Sequence, residues 1–259
     1  MHMRIHKISR YIFTVSAIAL ACASAAACGD SSDDVVAHVQ GVGSISKGTL
    51  EHWIPIEARL IYAVEPRTPV PEGVVPDPPT YAACIAYLRS RKQKIVETGP
   101  KPTTAGLKSR CAQQYRAVRQ AALNLLIGTD WTLGRASEAG IKVTDAEVKQ
   151  RLELTKKTAL AMSDAEYAKY LKYTGQTAAD MLLRAKVELI QARIQEGMLA
   201  LAKRLPNGLT SQRKGSALAK LMATDADAKR WVAKTSCRPG YVTSSCSQYR
   251  GGESPGAPN

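Results

Sequence analysis

Phenylalanine occurs once in the 259 residues, and aromatic residues make up only 5% of the chain. With so few flat side chains to stack bases and no signature of a nucleic-acid fold, nucleic acid is not an expected partner, although the net charge is +14. Histidine is nearly as scarce. Of four, His2 and His6 fall in the first ten residues, which leaves His38 and His52 for any chemistry downstream. Two histidines and no Cys-x-x-Cys spacing argue against a metal centre, and no Ser/His/Asp set can be assembled from them. A structural or surface role is read for both. Gly41-Val42-Gly43 is too short for a phosphate loop, and no Gly-Lys-Ser/Thr follows it. No repeat of fixed period is found. The expectation is therefore no catalytic residue, no metal and no cofactor.

The first residues carry a different signal. Met1 to Arg10 hold Arg4, Lys7 and Arg10 and no acidic residue, and Tyr11 to Ala27 run apolar and small without charge. A basic start followed by an apolar run too short for a comfortable membrane span reads as a secretory signal over residues 1–27. The run ends in Ala25-Ala26-Ala27-Cys28-Gly29-Asp30. This resembles a lipobox, in which a small residue precedes a Cys that becomes lipidated and N-terminal, although Ala25 stands where Leu is usual. Cys28 is the expected lipidation site, with Cys22 as its rival. Ser31, Ser32, Asp33 and Asp34 complete a charged tether over 28–34. The localisation expected is the outer face of the cell membrane.

Removing the signal takes away three basic residues and no acidic one, so the net charge falls from +14 to +11. A basic protein outside the membrane is drawn to anionic headgroups, wall polymers or acidic polypeptide segments. Four cysteines remain, Cys84, Cys111, Cys237 and Cys246, and an even number in an exported chain suggests disulfides. Three pairings are possible, and proximity favours Cys84–Cys111 and Cys237–Cys246.

Along the chain, Val35-Val36-Ala37-His38-Val39 reads as a short strand ended by Gly41 and Gly43. Ser46 caps a helix with Leu50, Trp53, Ile54, Ile56 and Leu60 at helical spacings, which Pro55 should kink or end. Prolines crowd residues 65–80, read as an extended surface linker. A short helix over Tyr81–Lys94 precedes a long one over Thr104–Ala139, with a stripe from Tyr115 through Val118, Ala122, Leu125, Leu126 and Thr129 to Leu133. Gly140 stops it. Thr144-Asp145-Ala146-Glu147 and Ser163-Asp164-Ala165-Glu166 are capping boxes, which account for their acidic pairs without acid–base chemistry. They open helices over 144–160 and 164–173. The next helix, 177–205, has a stripe of Leu183, Val187, Ile190, Ile194, Leu201 and Leu205. A basic tail helix over 211–234 carries Leu218, Leu221, Met222 and Trp231. Tyr241–Thr243 is a candidate strand to pair with Val35–Val39, and 251–259 reads as a disordered end.

This order resembles the N-terminal chaperone domain of SurA- and PrsA-type foldases, nearest to exported lipoproteins of actinobacterial type. Five features carry the resemblance. They are the opening Val35 to Gly41 leading to Ser46 and Leu50; the long helix ending in Trp131 to Ala139; the junction Gly140 to Val148; Tyr170 to Thr177 with Met181 to Arg184 after it; and the C-terminal Trp231, Thr235, Cys237, Gly240-Tyr241-Val242 and Cys246. The resemblance implies a mostly α fold, an irregular multi-helix domain over 35–250 with one or two short strands near the termini. It implies binding of unfolded exported polypeptides in an apolar helical cradle. Many relatives also carry a parvulin isomerase domain of roughly 90 residues, within the usual domain range. Residues 207–250 read as tail, and no histidine follows His52, so the expected activity is polypeptide binding without isomerase catalysis, with a structural envelope lipoprotein that binds one partner or wall polymer as the alternative and a diverged prolyl isomerase as a weaker one. Candidate client-binding residues are Trp53, Ile54, Tyr62, Trp131, Tyr167, Tyr170, Met181 and Met198, since Met and aromatic side chains adapt to varied partners. The expected partners are unfolded or exported polypeptides, the membrane through the lipid anchor, and anionic envelope polymers.

Overall fold

A computed structural model describes residues 34–62, 68–92, 102–203 and 225–251. Cys22, Cys28, Leu205, Leu218, Leu221, Met222 and the end from residue 252 lie outside them, as do the side chains of Met198 and Leu201. The described chain is mostly helical with a small antiparallel sheet. The elements are β1 (Val35–Val39), β2 (Gly43–Ser46), α1 (Lys47–Tyr62), α2 (Ala82–Lys92), α3 (Thr104–Glu138), α4 (Asp145–Thr158), α5 (Asp164–Thr174), α6 (Ala178–Lys203), α7 (Asp225–Ala233) and β3 (Thr235–Cys237). Among the described residues, no helix is long and apolar enough to cross a membrane.

The sheet joins the two ends of the described chain. β1 is central, with β2 on one side and β3 on the other. The register sets Ala37 opposite both Ile45 and Cys237, and Val39 opposite both Gly43 and Thr235. The turn between β1 and β2 has Gly41 at φ 78°, the left-handed region that glycine enters without steric cost. Two sequence expectations are corrected here. Gly43 does not end the strand region but opens β2, whose Ile45 is buried. The C-terminal strand lies at Thr235–Cys237, because Tyr241–Thr243 runs without regular structure between two turns inside the Cys237–Cys246 loop.

The main core lies between the sheet, α1, α3 and the C-terminal tail. Val36, Ile45, Leu50, Trp53, Ile56, Val118, Leu123 and Ile127 fill it with Cys237 and Cys246. α1 runs through Pro55 without ending. The carbonyl that proline leaves without a partner is that of Glu51, an exposed residue, where water can satisfy it. Leu60, expected on the buried stripe, is exposed, and Ala58 takes the buried place.

At the far end of α3 a second anchorage holds α7. Trp231 is buried against Gly134, where a Cβ would stand 2.2 Å from the indole. Charges surround the ring: Arg135 to Asp227 at 2.7 Å, Arg230 to Asp227 at 2.6 Å and to Glu138 at 2.7 Å, and Lys234 to Glu138 at 2.7 Å. The cations of Arg135, Arg230 and Lys234 also lie over the indole face.

The helices α4, α5 and α6 form an arm with its own small core of Met162, Tyr170 and Met181. Both expected capping boxes are formed, Thr144 with Glu147 and Ser163 with Glu166. Thr177 and Asp180 make a third reciprocal pair, since the Thr177 N–H donates to the Asp180 carboxylate and the Asp180 N–H to the Thr177 hydroxyl. Lys156 is buried in the arm between Asp164 at 2.7 Å and Glu153 at 2.8 Å, which stabilise its charged form.

Candidate polypeptide-binding groove

An open groove of about 670 Å³ lies between the first halves of α1 and α3. Helical spacing explains its two long sides. On α1, Lys47, Leu50, Glu51 and Ile54 fall at i, i+3, i+4 and i+7, one face of the helix. On α3, Lys108, Tyr115 and Arg119 recur at seven and four residues on one stripe, with Cys111 on the same stripe. Leu50 and Ile54 make a buried apolar floor, and Lys47 and Lys108 stand exposed at the rim.

Each of the two short walls lies next to a disulfide in the chain or inside the loop it closes. One wall is Pro78, Pro79 and Tyr81, leading into α2. Cys84 in the first turn of α2 is bonded to Cys111 of α3, and Ile85, Leu88 and Leu107 pack around that bond. The other wall is Tyr241, inside the loop closed by Cys237–Cys246. Arg119 ties that loop to α3: its guanidinium donates to the Gly240 carbonyl at 3.0 Å and lies over the Tyr241 ring at 5.2 Å. Both bonds follow the proximity pairing.

The proline segment does more than link elements, which corrects the linker reading for residues 68–80. Val74 and Pro76 are buried, and the Asp77 carboxylate accepts from the N–H groups of Ala83 and Cys84, both at 3.1 Å, so it caps α2 from outside the helix. Tyr81 takes a left-handed backbone, φ 59°, unusual for a bulky residue and of the kind that gathers at binding sites. Its ring meets Tyr115 edge to face at 6.5 Å. Burial raises the Tyr115 phenol above its ordinary value, outweighing nearby Arg119, so it stays a hydrogen-bond donor at neutral pH.

Charge is unevenly placed around this groove. From Thr104 to Thr129, α3 carries Lys108, Arg110, Arg116 and Arg119 and no carboxylate. The one acidic residue lining the groove, Glu51, sits 3.7 Å from Lys47. Arg116 and Arg119 also line a smaller neighbouring recess with Tyr241, which extends the basic surface along α3.

Most of the client-binding residues expected from sequence are placed elsewhere. Trp53, Ile54, Tyr170 and Met181 are buried. Tyr62 and Trp131 are half-buried against the main core, and Tyr167 against the arm core. Trp131 Nε1 donates to the Thr235 hydroxyl at 2.8 Å. Of the seven described, only Ile54 lines the large groove. In a chain poor in aromatics, the rings that bury most apolar area per residue are drawn into the cores. Trp53 does reach the edge of a second groove, of about 220 Å³, between α1, α3 and α6. There Leu125, Leu183 and Val187 stand beside Arg184, whose guanidinium lies over the indole and pairs with Glu57 at 2.9 Å.

The two histidines take structural positions. His38 is exposed on β1, its Nδ1 at 3.0 Å from the Ser44 hydroxyl. His52 Nε2 donates to the Asp180 carboxylate at 3.0 Å, linking α1 to the start of α6. Burial pushes the Asp180 carboxyl up, but hydrogen bonds from Thr177 and His52 outweigh it and the group ends below its usual range. Among the described residues, no three His, Cys, Asp or Glu side chains gather in a way that could hold a metal ion. Sequence reasoning missed Tyr81, Tyr115, Tyr241, Lys108 and Arg119 as residues lining one groove; the signal available was the carboxylate-free stretch of α3.

No family model, no curated protein and no solved structure matches this chain.

Proposed function

We propose that this chain is an exported, lipid-anchored chaperone-like protein that binds unfolded polypeptides without isomerase catalysis. The observation that carries the reading is the open groove of about 670 Å³ whose two end walls are each fastened by a disulfide. Disulfides belong to chains that work outside the reducing cytoplasm, in keeping with the signal and Cys28 read from the sequence. A groove with an apolar floor and proline and tyrosine walls suits an extended chain, whose alternate side chains need apolar contact and whose backbone needs donors. Because the walls are stapled, little conformational freedom is lost on binding.

The site of binding therefore moves from the aromatic residues of the sequence reading to the groove between α1 and α3. The test is light scattering from a reduced, aggregating client with the disulfide-intact chain added, residues 1–27 removed and Cys28→Ser keeping it in solution. The expected result is suppression near equal molar ratio, with no acceleration of a prolyl-peptide isomerisation assay. An absence of suppression by a well-folded chain rejects the reading. The carboxylate-free face of α3 favours one rival, an envelope protein that holds an anionic wall polymer. In that case the polymer binds and the unfolded client does not.

A further inference from the structure

From the charge on the groove walls we infer that the site selects extended polypeptide segments rich in aspartate and glutamate; the inference rests on the polypeptide-binding reading above. The floor and walls give no basis for choosing one neutral segment over another. The cations do. Lys47 is partnered by Glu51, the one acidic residue of the lining, whereas among the described residues neither Lys108 nor Arg119 forms an ion pair with a carboxylate. Arg119 is also held in place. Its bond to the Gly240 carbonyl and its position over Tyr241 fix the guanidinium at the groove wall, so a client carboxylate meets a pre-oriented donor fork. Tyr115 adds a phenol that remains protonated at neutral pH. Lys108 lies about two turns of α3 from Tyr115, at seven residues, and Arg119 one turn beyond it. Cations are thus spaced along the groove, which matches acidic residues distributed along an extended chain and not a single anion. The apolar floor adds contact that a highly hydrated polysaccharide would not use.

Fluorescence anisotropy with three labelled unstructured peptides tests this: one glutamate-rich, one with every glutamate replaced by glutamine, and one lysine-rich. A polyanionic polysaccharide serves as competitor. The glutamate peptide should bind at least about threefold tighter than its glutamine counterpart, the size expected of one or two partly exposed ion pairs, and the gap should close in high salt. Arg119→Gln should abolish the preference. Since Arg119 also supports the Gly240 loop, the exposed Lys108→Glu is the second variant and should reduce the preference without unfolding. Lys172→Gln on α5 and Lys186→Gln on α6, which remove charge away from the groove, should leave it unchanged. Equal binding of the glutamate and glutamine peptides overturns the inference and leaves the chaperone reading intact. An equal loss from the Lys172 and Lys186 variants, or displacement by the polysaccharide at matching charge concentration, also overturns it. Binding of no peptide at all rejects the chaperone reading as well.

Discussion

The body formed by the sheet, α1, α2, α3 and the tail differs from the arm formed by α4, α5 and α6 in what holds each together. The body has a continuous core, an indole seated in a glycine notch, and two disulfides. The arm has a small core cluster of three buried side chains, two of them methionine, and adds capping boxes and ion pairs to it. The disulfides and the larger apolar core thus belong to the part that carries the groove, while the arm combines a smaller core with capping boxes and partly exposed ion pairs. A site that must keep its shape against varied clients belongs on the stiffer part. Hydrogen exchange should show the arm opening at lower free energy than β1 and the first half of α3.

The largest expected effect lies in the body. Trp231→Ala removes a fully buried indole and should cost about 3–5 kcal/mol, read from denaturant unfolding. Gly134→Ala forces a methyl into the same ring and should cost about 1–3 kcal/mol. A small loss from both would show that α7 is only laid on the body, and the contrast with the arm would weaken.

Disulfide removal comes next. The Cys84–Cys111 bond spans 27 residues and the Cys237–Cys246 bond 9, so loop entropy predicts losses of about 3.5 and about 2.5 kcal/mol for the paired serine variants. Both variants should also weaken client binding, because each loosens a wall of the groove. Stability loss with unchanged binding would separate the bonds from the site.

In the arm, Thr144→Ala and Ser163→Ala should each cost about 1 kcal/mol and affect the arm's exchange rates and not those of the body.

The smallest effect is pH-dependent and belongs to the latch on α7. Hydrogen bonds from Lys234 and Arg230 lower the Glu138 carboxyl. Burial raises Asp227, but hydrogen bonds from Arg230 and Arg135 outweigh it and leave it lowered too. A lowered folded-state pKa means stability that is present above the ordinary carboxylate range and lost as pH falls through the folded value. The difference in melting temperature between the native chain and Glu138→Gln should be full at neutral pH, shrink as pH falls below the ordinary carboxylate range, and vanish once pH is below the lowered folded value. A difference that persists in acid would mean the contact is not electrostatic.

Much of the arm was legible in the sequence because its ends are written locally. Thr144 with Glu147 and Ser163 with Glu166 announce helix starts three residues apart, and Gly175 closes α5 with a left-handed φ of 73°. The sheet was harder to read. β2 consists of Gly43-Ser44-Ile45-Ser46 and β3 of Thr235-Ser236-Cys237, segments of weak strand propensity that exist because β1 lies between them. The groove was least legible. Tyr81, Arg119 and Tyr241 lie 38 and 122 residues apart along the chain, and contacts made only in the folded chain, among them the two disulfides, the bond from Arg119 to Gly240 and the Tyr81–Tyr115 ring contact, bring them to one recess. Trp53 and Met181 illustrate the converse: residues suited by chemistry to bind clients are taken first by the cores.

The most direct test places a photocrosslinking amino acid at Lys108, on the groove rim, or at Lys172, exposed on α5, and irradiates each chain with an unfolded client. Adducts from position 108, lost on reducing the disulfides and rare from position 172, are the predicted result. Equal adducts from both positions, or adducts from 172 alone, would contradict the claim that the stapled groove holds the client.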